Sequence, residues 1–536
     1  FTSDTIIQLE VGPNAASNSN SMQDLNFGQN GTFNGQETAG GNTDSAGEGN
    51  FFYAPPSGFK ALCSKNLPTP TIKLSTEHFN TVLYTGSGST RSITGVGFQP
   101  DWLWIKARNS TDDHRLQDSV RGSTKYMESN TNDAEVTDAA GITAFGSDGF
   151  TIGADSSNRF NVNTTTYVAW NWKAGGATPS KTYTVKVVSD SGNKYRFDDF
   201  GASAQTLDLQ EGGTYTFDQS DSSNATHPLR FSTTSDGSHG GGSEYTTGVT
   251  TNGTPGSSGA YTRITVAASA ATLYYYCTAH SGMGGQANTN STFGSSNFSG
   301  STKSIVSANT TSGLSIVTYS GTGSAATVGH GLGAVPEVYI VKNRTNNAGN
   351  SDAWGMYNKY SFSAGGSAAT SSLYLMNSYA AYADSGAQWN STAPTSSVFS
   401  VNTWGGVNGS SDTYLAYVFK EIANFSKFTS FKGSGSTDGP VIYTGFKPKF
   451  AIIKKFQTGD GTSWFIYDSE RNPFNVITTA MWADTNNQDT AHAEYYVDFL
   501  SNGIKIRGNN AGLNASGKYY IVLAWAESPF KYSNAR

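Results

Sequence analysis

Four residues of types that bind soft metal ions lie close to one another in the middle of the sequence. Cys277 ends an aromatic run, and a histidine, His280, and a methionine, Met283, follow it at intervals of three residues. A second histidine, His227, lies upstream between Thr226 and Pro228. One thiolate and two imidazoles, with a weak thioether ligand, form the mononuclear blue-copper sites of proteins. These residue types therefore predict a copper site.

The segments around these residues indicate how they could meet. The run that ends at Cys277 is typical of a strand, and Gly282 lies in a glycine-containing turn that could aim the three clustered side chains at one point. His227 would then have to arrive from a neighbouring strand, although Pro228 restricts the backbone beside it. Thiolate and thioether favour copper, whereas zinc more often has a fourth hard or thiolate ligand. The alternative is a buried structural cysteine near two unrelated histidines.

The order of these residues resembles that of the cupredoxins, and the short Cys-x-x-His-x-x-Met loop is similar to the amicyanin type. The resemblance implies a Greek-key β-sandwich over residues 179–286. It also implies that one histidine leaves one strand while the other three ligands share one loop at the same end of the sandwich. It assigns the ligand roles to His227, Cys277, His280 and Met283, with copper as the cofactor. No residue pattern identifies an electron donor or acceptor.

The composition predicts an all-β protein of several domains. Of the 536 residues only 14% are charged, 13% are aromatic and 61 are glycine. Disordered chains have many charges and few aromatic residues, so this composition favours tandem β-sandwiches with uncharged polar surfaces and many turns. The net charge of −6 without a basic stripe argues against nucleic-acid binding. No apolar run is long enough for a membrane-spanning helix, and two cysteines, Cys63 and Cys277, cannot form a disulfide framework.

A ten-residue segment recurs three times, as Gly97–Lys106, Gly333–Lys342 and Gly445–Lys454. Each copy has a proline turn followed by an apolar strand, which predicts three related β-sandwich repeats at residues 76–178, 310–424 and 425–536. Trp354 and Trp464 begin a middle strand in the second and third repeats, and core packing is their expected role. The first repeat has Asp113-His114-Arg115-Leu116 there. The adjacent Asp112, Asp113 and His114 could indicate metal or acid–base chemistry, but an exposed polar loop is their expected role. Residues 287–309 are rich in Gly, Ser and Asn, which predicts a linker or a segment that wraps the surface.

The repeats resemble an uncharacterised domain of tail-associated proteins of marine bacteriophages, where it occurs beside similar cupredoxin-like modules. In residues 1–75 the segment Asn50–Cys63 is similar to the closing strands of a phage SPRY-type domain. The rest of such a domain is missing from the sequence, which also starts at Phe1 without a leader, so we expect an upstream region or a leader. The segment either completes a sheet from another chain or the upstream region, or forms a poorly packed terminal arm.

Together these features predict a non-enzymatic structural protein of a virion surface, a tail fibre or other appendage for host attachment that carries a copper site. The alternatives are an extracellular copper-binding or redox protein and a subunit of a bacterial surface filament. Expected partners are other virion or filament subunits, including further copies of this chain in a homo-oligomer, and a host surface receptor or glycan. The expected location is the virion surface or the cell exterior.

Overall fold

The computed structural model describes residues 27–32, 35–155, 159–345, 353–361, 367–375, 381–383, 386–456 and 462–533. The chain divides into two compact units, residues 1–69 and residues 70–536. Among the described residues of the first unit, strand pairing is limited to one bridge between Asn42 and Phe51. The predicted pairing of this region with another chain stays a prediction.

The buried Asp44 carboxylate organises the first unit. It accepts hydrogen bonds from the backbone N–H groups of Ala46, Glu48 and Ala61, at 2.8, 3.0 and 2.8 Å, and from the Asn66 side chain at 2.6 Å. These donors, the Glu48 N–H first, favour the ionised form and lower the pKa of Asp44 to about 2. One carboxylate thus joins three loop segments that have little pairing of their own.

The second unit is built almost entirely of strands. The first repeat contains β1 (Phe79–Thr85), β2 (Arg91–Ile93), β3 (Trp102–Ala107), β4 (Arg115–Asp118), β5 (Lys125–Met127), β6 (Val136–Thr137), β7 (Ile142–Gly146), β8 (Gly149–Ile152) and β9 (Thr166–Trp172). The next domain, which we call the inserted domain, contains β10 (Ser180–Ser189), β11 (Asn193–Phe197), β12 (Leu207–Gln210), β13 (Thr214–Asp218), β14 (Leu229–Ser232), β15 (Val249–Asn252), β16 (Tyr261–Thr265), β17 (Leu273–Cys277) and β18 (Gly285–Asn290).

The second and third repeats complete this unit. The second repeat contains β19 (Ser295–Asn297), β20 (Ser304–Asn309), β21 (Leu314–Ser320), β22 (Ala326–Gly329), β23 (Val338–Asn343), β24 (Gly355–Asn358), β25 (Ser371–Tyr374), β26 (Tyr382–Ala383), β27 (Val398–Val401), α1 (Gly405–Asn408) and β28 (Thr413–Phe419). The third contains β29 (Ser426–Lys432), β30 (Val441–Tyr443), β31 (Phe446–Lys455), β32 (Phe465–Asp468), β33 (Thr479–Trp482), β34 (Thr490–Ala491), β35 (Val497–Leu500), β36 (Gly503–Ile506), α2 (Ala511–Asn514) and β37 (Tyr519–Pro529).

Short 3-10 turns account for the other helical residues: Ser64–Asn66, Ser75–Glu77, Ser222–Asn224, Gly237–Gly240, Ala368–Thr370, Ala493–Tyr495 and Phe530–Tyr532. Within the described ranges, none of the helices has the length and apolar character needed to cross a bilayer.

The three repeats have the same strand order. The main sheet runs β1-β9-β3-β4-β5-β6 in the first repeat and β29-β37-β31-β32-β33-β34 in the third. The second has β21-β28-β23-β24-β25-β26, extended at the β21 edge by β20 and β19. A smaller sheet accompanies each, β2-β8-β7, β22-β27 and β30-β36-β35. The prediction of an all-β chain of tandem sandwiches is confirmed.

The predicted linker at 287–309 is corrected by the structure. Its first residues belong to β18, which lies between β12 and β17 of the inserted domain, and the rest supplies β19 and β20 to the second repeat. Ser295, Ser296 and Ser304 are buried. Small polar residues do not mark a linker here, because their hydroxyls bond within the fold: the Ser296 hydroxyl accepts the Asp208 N–H at 2.8 Å.

The main sheets of the three repeats enclose one shared apolar core. Trp102 of the first repeat stacks on Tyr417 of the second, with ring centroids 4.4 Å apart. Phe79 of the first repeat meets Phe450 of the third at 5.6 Å, and Phe419 meets Trp525 at 5.6 Å. Buried aromatic residues dominate the energetics of such cores, so the repeats form one body.

In each repeat, a ring nitrogen at an equivalent position makes a hydrogen bond to a backbone carbonyl of another repeat, so that each repeat is joined to the other two. Trp354 donates to the Glu128 carbonyl at 2.7 Å, and Trp464 donates to the Tyr374 carbonyl at 3.0 Å. In the first repeat the His114 Nε2 lies 2.9 Å from the Trp482 carbonyl. His114 is fully buried, so the prediction of an exposed loop was wrong for this residue, whereas Asp112 and Asp113 do lie in a loop and are half-buried. The histidine takes the place of the tryptophan because its ring N–H can make the same bond.

A buried charge network reinforces the contact between the first and second repeats. Arg121 pairs with Asp118 at 2.5 Å and with Glu135 at 3.1 Å, and all three side chains are largely buried. From the second repeat, both Arg344 guanidinium contacts to Glu135 measure 2.9 Å, and the Tyr417 hydroxyl donates to Asp118 at 2.9 Å.

The contact between the first and third repeats has the same design, whereas the equivalent positions at the remaining contact are uncharged. Arg471 pairs with Asp468 and, at 2.7 Å, with Asp489, which Arg108 of the first repeat reaches at 2.8 Å. At the contact between the second and third repeats the positions equivalent to these charged residues hold Asn358, Ser361, Ala381 and Phe456. There the backbone bond from the Ala381 N–H to the Phe456 carbonyl is retained. Both of these arginine–carboxylate networks thus involve the first repeat.

Candidate metal centre

The inserted domain brings the ends of two strands together at the predicted site. β17 pairs antiparallel with β14, which places Cys277 opposite Leu229. His227 therefore lies next to the end of β17, two residues before the first residue of β14. Pro228 fits this geometry without loss, since its carbonyl accepts the Thr278 N–H at 3.1 Å and its missing N–H is not needed.

Three of the four predicted ligands form one cluster. The Cys277 sulfur lies 3.8 Å from Nδ1 of His227 and 3.7 Å from Nδ1 of His280. The two imidazole centroids are 4.5 Å apart. Cys277 is fully buried, His227 is 9% exposed, and His280 is on the surface. In the described parts of the chain this is the one group of three histidine, cysteine or acidic residues arranged so that it could hold a metal ion.

The spacing of these atoms fits a bound metal ion. An ion about 2.3 Å from a thiolate sulfur and about 2.0–2.1 Å from each imidazole nitrogen, with ligand angles of about 120°, leaves sulfur and nitrogen about 3.7 Å apart. The two observed sulfur–nitrogen distances, 3.8 and 3.7 Å, agree with that value. Both sulfur–nitrogen separations therefore match those of a three-coordinate His-Cys-His centre.

Met283 lies at the end of the same loop, and its side chain is buried. It belongs to the apolar cluster that contains Cys277, and its carbonyl accepts the Tyr195 N–H at 3.0 Å. Gly284 permits the turn that follows, because a Cβ there would lie 1.7 Å from the Tyr275 carbonyl oxygen. The role of Met283 as a weak fourth ligand stays a prediction.

Buried polar side chains fix the backbone at His227. The Tyr195 hydroxyl donates to the His227 carbonyl at 2.8 Å, and the Gln219 side-chain amide donates to the same oxygen at 2.9 Å. Burial, followed by the charge and hydrogen bonding of Cys277, raises the pKa of Tyr195, which keeps the phenol a donor. Burial and then the charge of His280 lower the pKa of His227, which favours the neutral imidazole that binds metals.

A short turn beside the ligand loop was not found from the sequence. His239, to which the residue pattern assigns no ligand role, lies in the 3-10 turn Gly237–Gly240. Its Nε2 is 3.1 Å from the Cys277 carbonyl, and Asp236 accepts the Gly282 N–H at 2.9 Å. The glycines around it marked a turn, but only the folded sandwich places that turn against Cys277.

The centre lies at the end of the inserted domain opposite its connections to the repeats. β17 runs from Leu273 to Cys277, and β18 returns antiparallel to end at Asn290. The Asn290 carbonyl accepts the Glu211 N–H, and the carbonyl of Pro179, where the chain enters the domain, accepts the Thr214 N–H. The chain therefore enters and leaves the domain at one end of the sandwich. The metal centre lies at the opposite end, where His280 faces solvent.

The comparisons with known proteins identify a family without a defined activity. The model of a domain of unknown function, DUF7483, matches residues 74–194 and 232–529. This is well over half of the chain, which therefore belongs to that family. The match includes the ligand loop but not residues 195–231, which contain His227. No curated protein and no solved structure matches the chain.

Proposed function

We propose that the chain binds one copper ion through His227, Cys277 and His280 in a mononuclear centre, and that its role is not enzymatic. The observation that carries this proposal is the pair of sulfur–nitrogen distances, 3.8 and 3.7 Å, around the buried Cys277. The three repeats form a rigid support for the inserted domain. The centre lies at the end of the inserted domain that is farthest from its connections to the repeats.

The ligand chemistry favours copper over zinc. A thiolate and two imidazoles suit both ions, but structural zinc sites are closed by a fourth protein ligand. No additional histidine, cysteine or acidic residue joins the three-residue group within the described ranges. The apolar Met283 side chain in the Cys277 cluster is the fourth donor type that blue-copper sites use.

Native mass spectrometry of the chain after copper loading and desalting tests the stoichiometry. We expect one copper ion per chain, and we expect His280→Ala, which removes the exposed ligand, to lose it during desalting. His492→Ala serves as the control, because His492 lies in the third repeat, away from the centre. Equal copper retention by His280→Ala and the parent chain would contradict the proposal.

A second proposal concerns the setting, a virion surface appendage with an attachment role, as the sequence resemblance suggests. On two edge strands, one outward N–H is already bonded to a nearby side chain, which opposes a filament that grows by strand addition at those positions. The outward N–H of Thr81 in β1 bonds to the Asn80 side chain at 2.9 Å, and that of Phe428 in β29 bonds to Glu421 at 3.1 Å. In the second repeat the equivalent residue, Ile316, pairs with Ser307 of β20. Blocked edges oppose strand addition by another chain.

Quantitative proteomics on density-purified phage particles and on sheared cell-surface filaments from the same culture tests the setting. We expect the chain to co-purify with particles at a constant ratio to capsid protein. Recovery with filaments alone would contradict the virion setting and leave the copper centre to be tested separately.

A further inference from the structure

We propose that the turn Asp236–Gly240 is a clamp that holds the ligand loop Cys277–Met283 in its metal-binding conformation, with Asp236 and His239 as positioning residues. The proposal rests on the copper-binding function above and adds the residues that impose the geometry of the centre. Neither residue is among the metal-binding group.

The first contact of the clamp holds the far end of the ligand loop. One Asp236 carboxylate oxygen accepts the Gly282 N–H at 2.9 Å, two residues after His280. Asp236 itself has a φ of +58°, in the left-handed region that non-glycine residues rarely adopt. Unfavourable backbone geometry of this kind persists where the surrounding contacts over-determine it.

The second contact holds the near end of the same loop. Nε2 of His239 lies 3.1 Å from the carbonyl oxygen of Cys277. A carbonyl oxygen can only accept, so the imidazole must donate. The two contacts therefore fix the backbone on either side of His280, whose own side chain is exposed and has the least support from packing.

Glycine lets the turn approach this closely. Gly237 lies over the ring of Tyr276, the neighbour of Cys277, and a Cβ at Gly237 would be 2.4 Å from the ring. On the other side of the loop, Lys194 bonds to the Gly282 carbonyl and the Tyr195 N–H bonds to that of Met283. The loop is thus held between the turn and β11.

A loop held at both ends resists relaxation around the ion. The clamp therefore increases the affinity of the centre for its metal ion, as groups behind metal ligands do.

The test compares variants that lose each contact with variants that keep it. Asp236→Ala and His239→Ala remove one acceptor and one donor, whereas Asp236→Asn retains a side-chain oxygen and His239→Gln retains an N–H. Copper affinity is measured by competition with a chelator, and the visible spectrum reports the geometry. We expect each alanine variant to bind copper about 10- to 100-fold more weakly, with altered relative intensities of the visible bands. The two conservative variants should restore most of the loss. Parental affinity and spectrum in both alanine variants would overturn the clamp.

Hydrogen exchange on the metal-free protein separates this proposal from the copper proposal. The peptide that covers residues 277–284 should exchange faster in Asp236→Ala than in the parent and in Asp236→Asn, because the Gly282 N–H loses its acceptor. Unchanged exchange would overturn the clamp even if copper binds. Faster exchange in a chain that binds no copper would support the clamp and contradict the copper centre.

Discussion

Replacement of Cys277 by serine is expected to abolish the copper–thiolate absorption and to weaken copper binding by more than about 100-fold. The thiolate is the ligand that gives a His2Cys centre its preference for copper, and a serine hydroxyl is a hard donor that stays protonated at neutral pH. Serine has nearly the same shape, so the fully buried position keeps its packing. We expect the far-ultraviolet circular dichroism to be unchanged while the visible band disappears.

The matched control is Cys63→Ser. Cys63 is the other cysteine of the sequence, it lies in the first unit, and it is part-exposed. Its replacement should leave copper affinity and spectrum at parental values. If Cys277→Ser binds copper as tightly as the parent with the same spectrum, the metal is bound elsewhere and the proposed centre is wrong.

Replacement of Arg121 by alanine should cause the largest loss of stability. The substitution removes the cation that pairs with the buried carboxylates of Asp118 and Glu135. Removing one partner of a buried ion pair costs about 3–5 kcal/mol of folding free energy. The network joins the first repeat to the second, so we expect the contact between these two repeats to open first. Tryptophan fluorescence during denaturation reports this directly, because Trp102 and Trp172 lie in the shared core.

Ser361→Ala is the matched control, since Ser361 occupies the equivalent position at the contact between the second and third repeats, where its hydroxyl donates to the Asn358 carbonyl at 3.1 Å. We expect it to cost less than about 1.5 kcal/mol, the net value of one hydrogen bond. Similar midpoints for Arg121→Ala and Ser361→Ala would show that the charge network adds no stability.

The same network predicts how stability changes with acid. Burial, the largest influence, raises the pKa of Glu135, but the hydrogen bonds and charges of Arg344 and Arg121 outweigh it and lower the pKa to about 2. A carboxylate whose pKa is lowered by folding stabilises the folded state fully at a pH above its unfolded-state pKa, here 4.5. That stabilisation is lost as the pH falls toward 2. Because Arg121→Ala removes one of these cations, it should unfold at a higher pH than the parent during acid titration.

Much of the centre could be predicted from the sequence because its ligands share short segments. Cys277 and His280 lie on one loop, so their spacing alone limits how far apart they can be, and the aromatic run before them identifies the strand that carries them. His227 was found by residue type and order, and the antiparallel pairing of β14 with β17 places it correctly. The support from Tyr195 and His239 could not be predicted, because it depends on which strands and turns are neighbours in the folded sandwich.

The repeats show a similar limit. Repeated motifs predicted three related sandwiches, but not that they close into one body around a common core. That closure explains why His114 is buried: its role is set by the Trp482 carbonyl of another repeat, far away in sequence. The predicted linker failed for a related reason. Small polar residues can pair as strands when a partner edge is present, and β21 provides that edge for β20.

The most direct test of the central claim is the visible absorption of the purified, reduced chain on titration with Cu(II). We expect an intense charge-transfer band to grow linearly and stop at one equivalent, with no further change on adding more copper. A chain that gives no such band at one equivalent, with Cys277 shown by thiol labelling to be reduced, would contradict the copper centre.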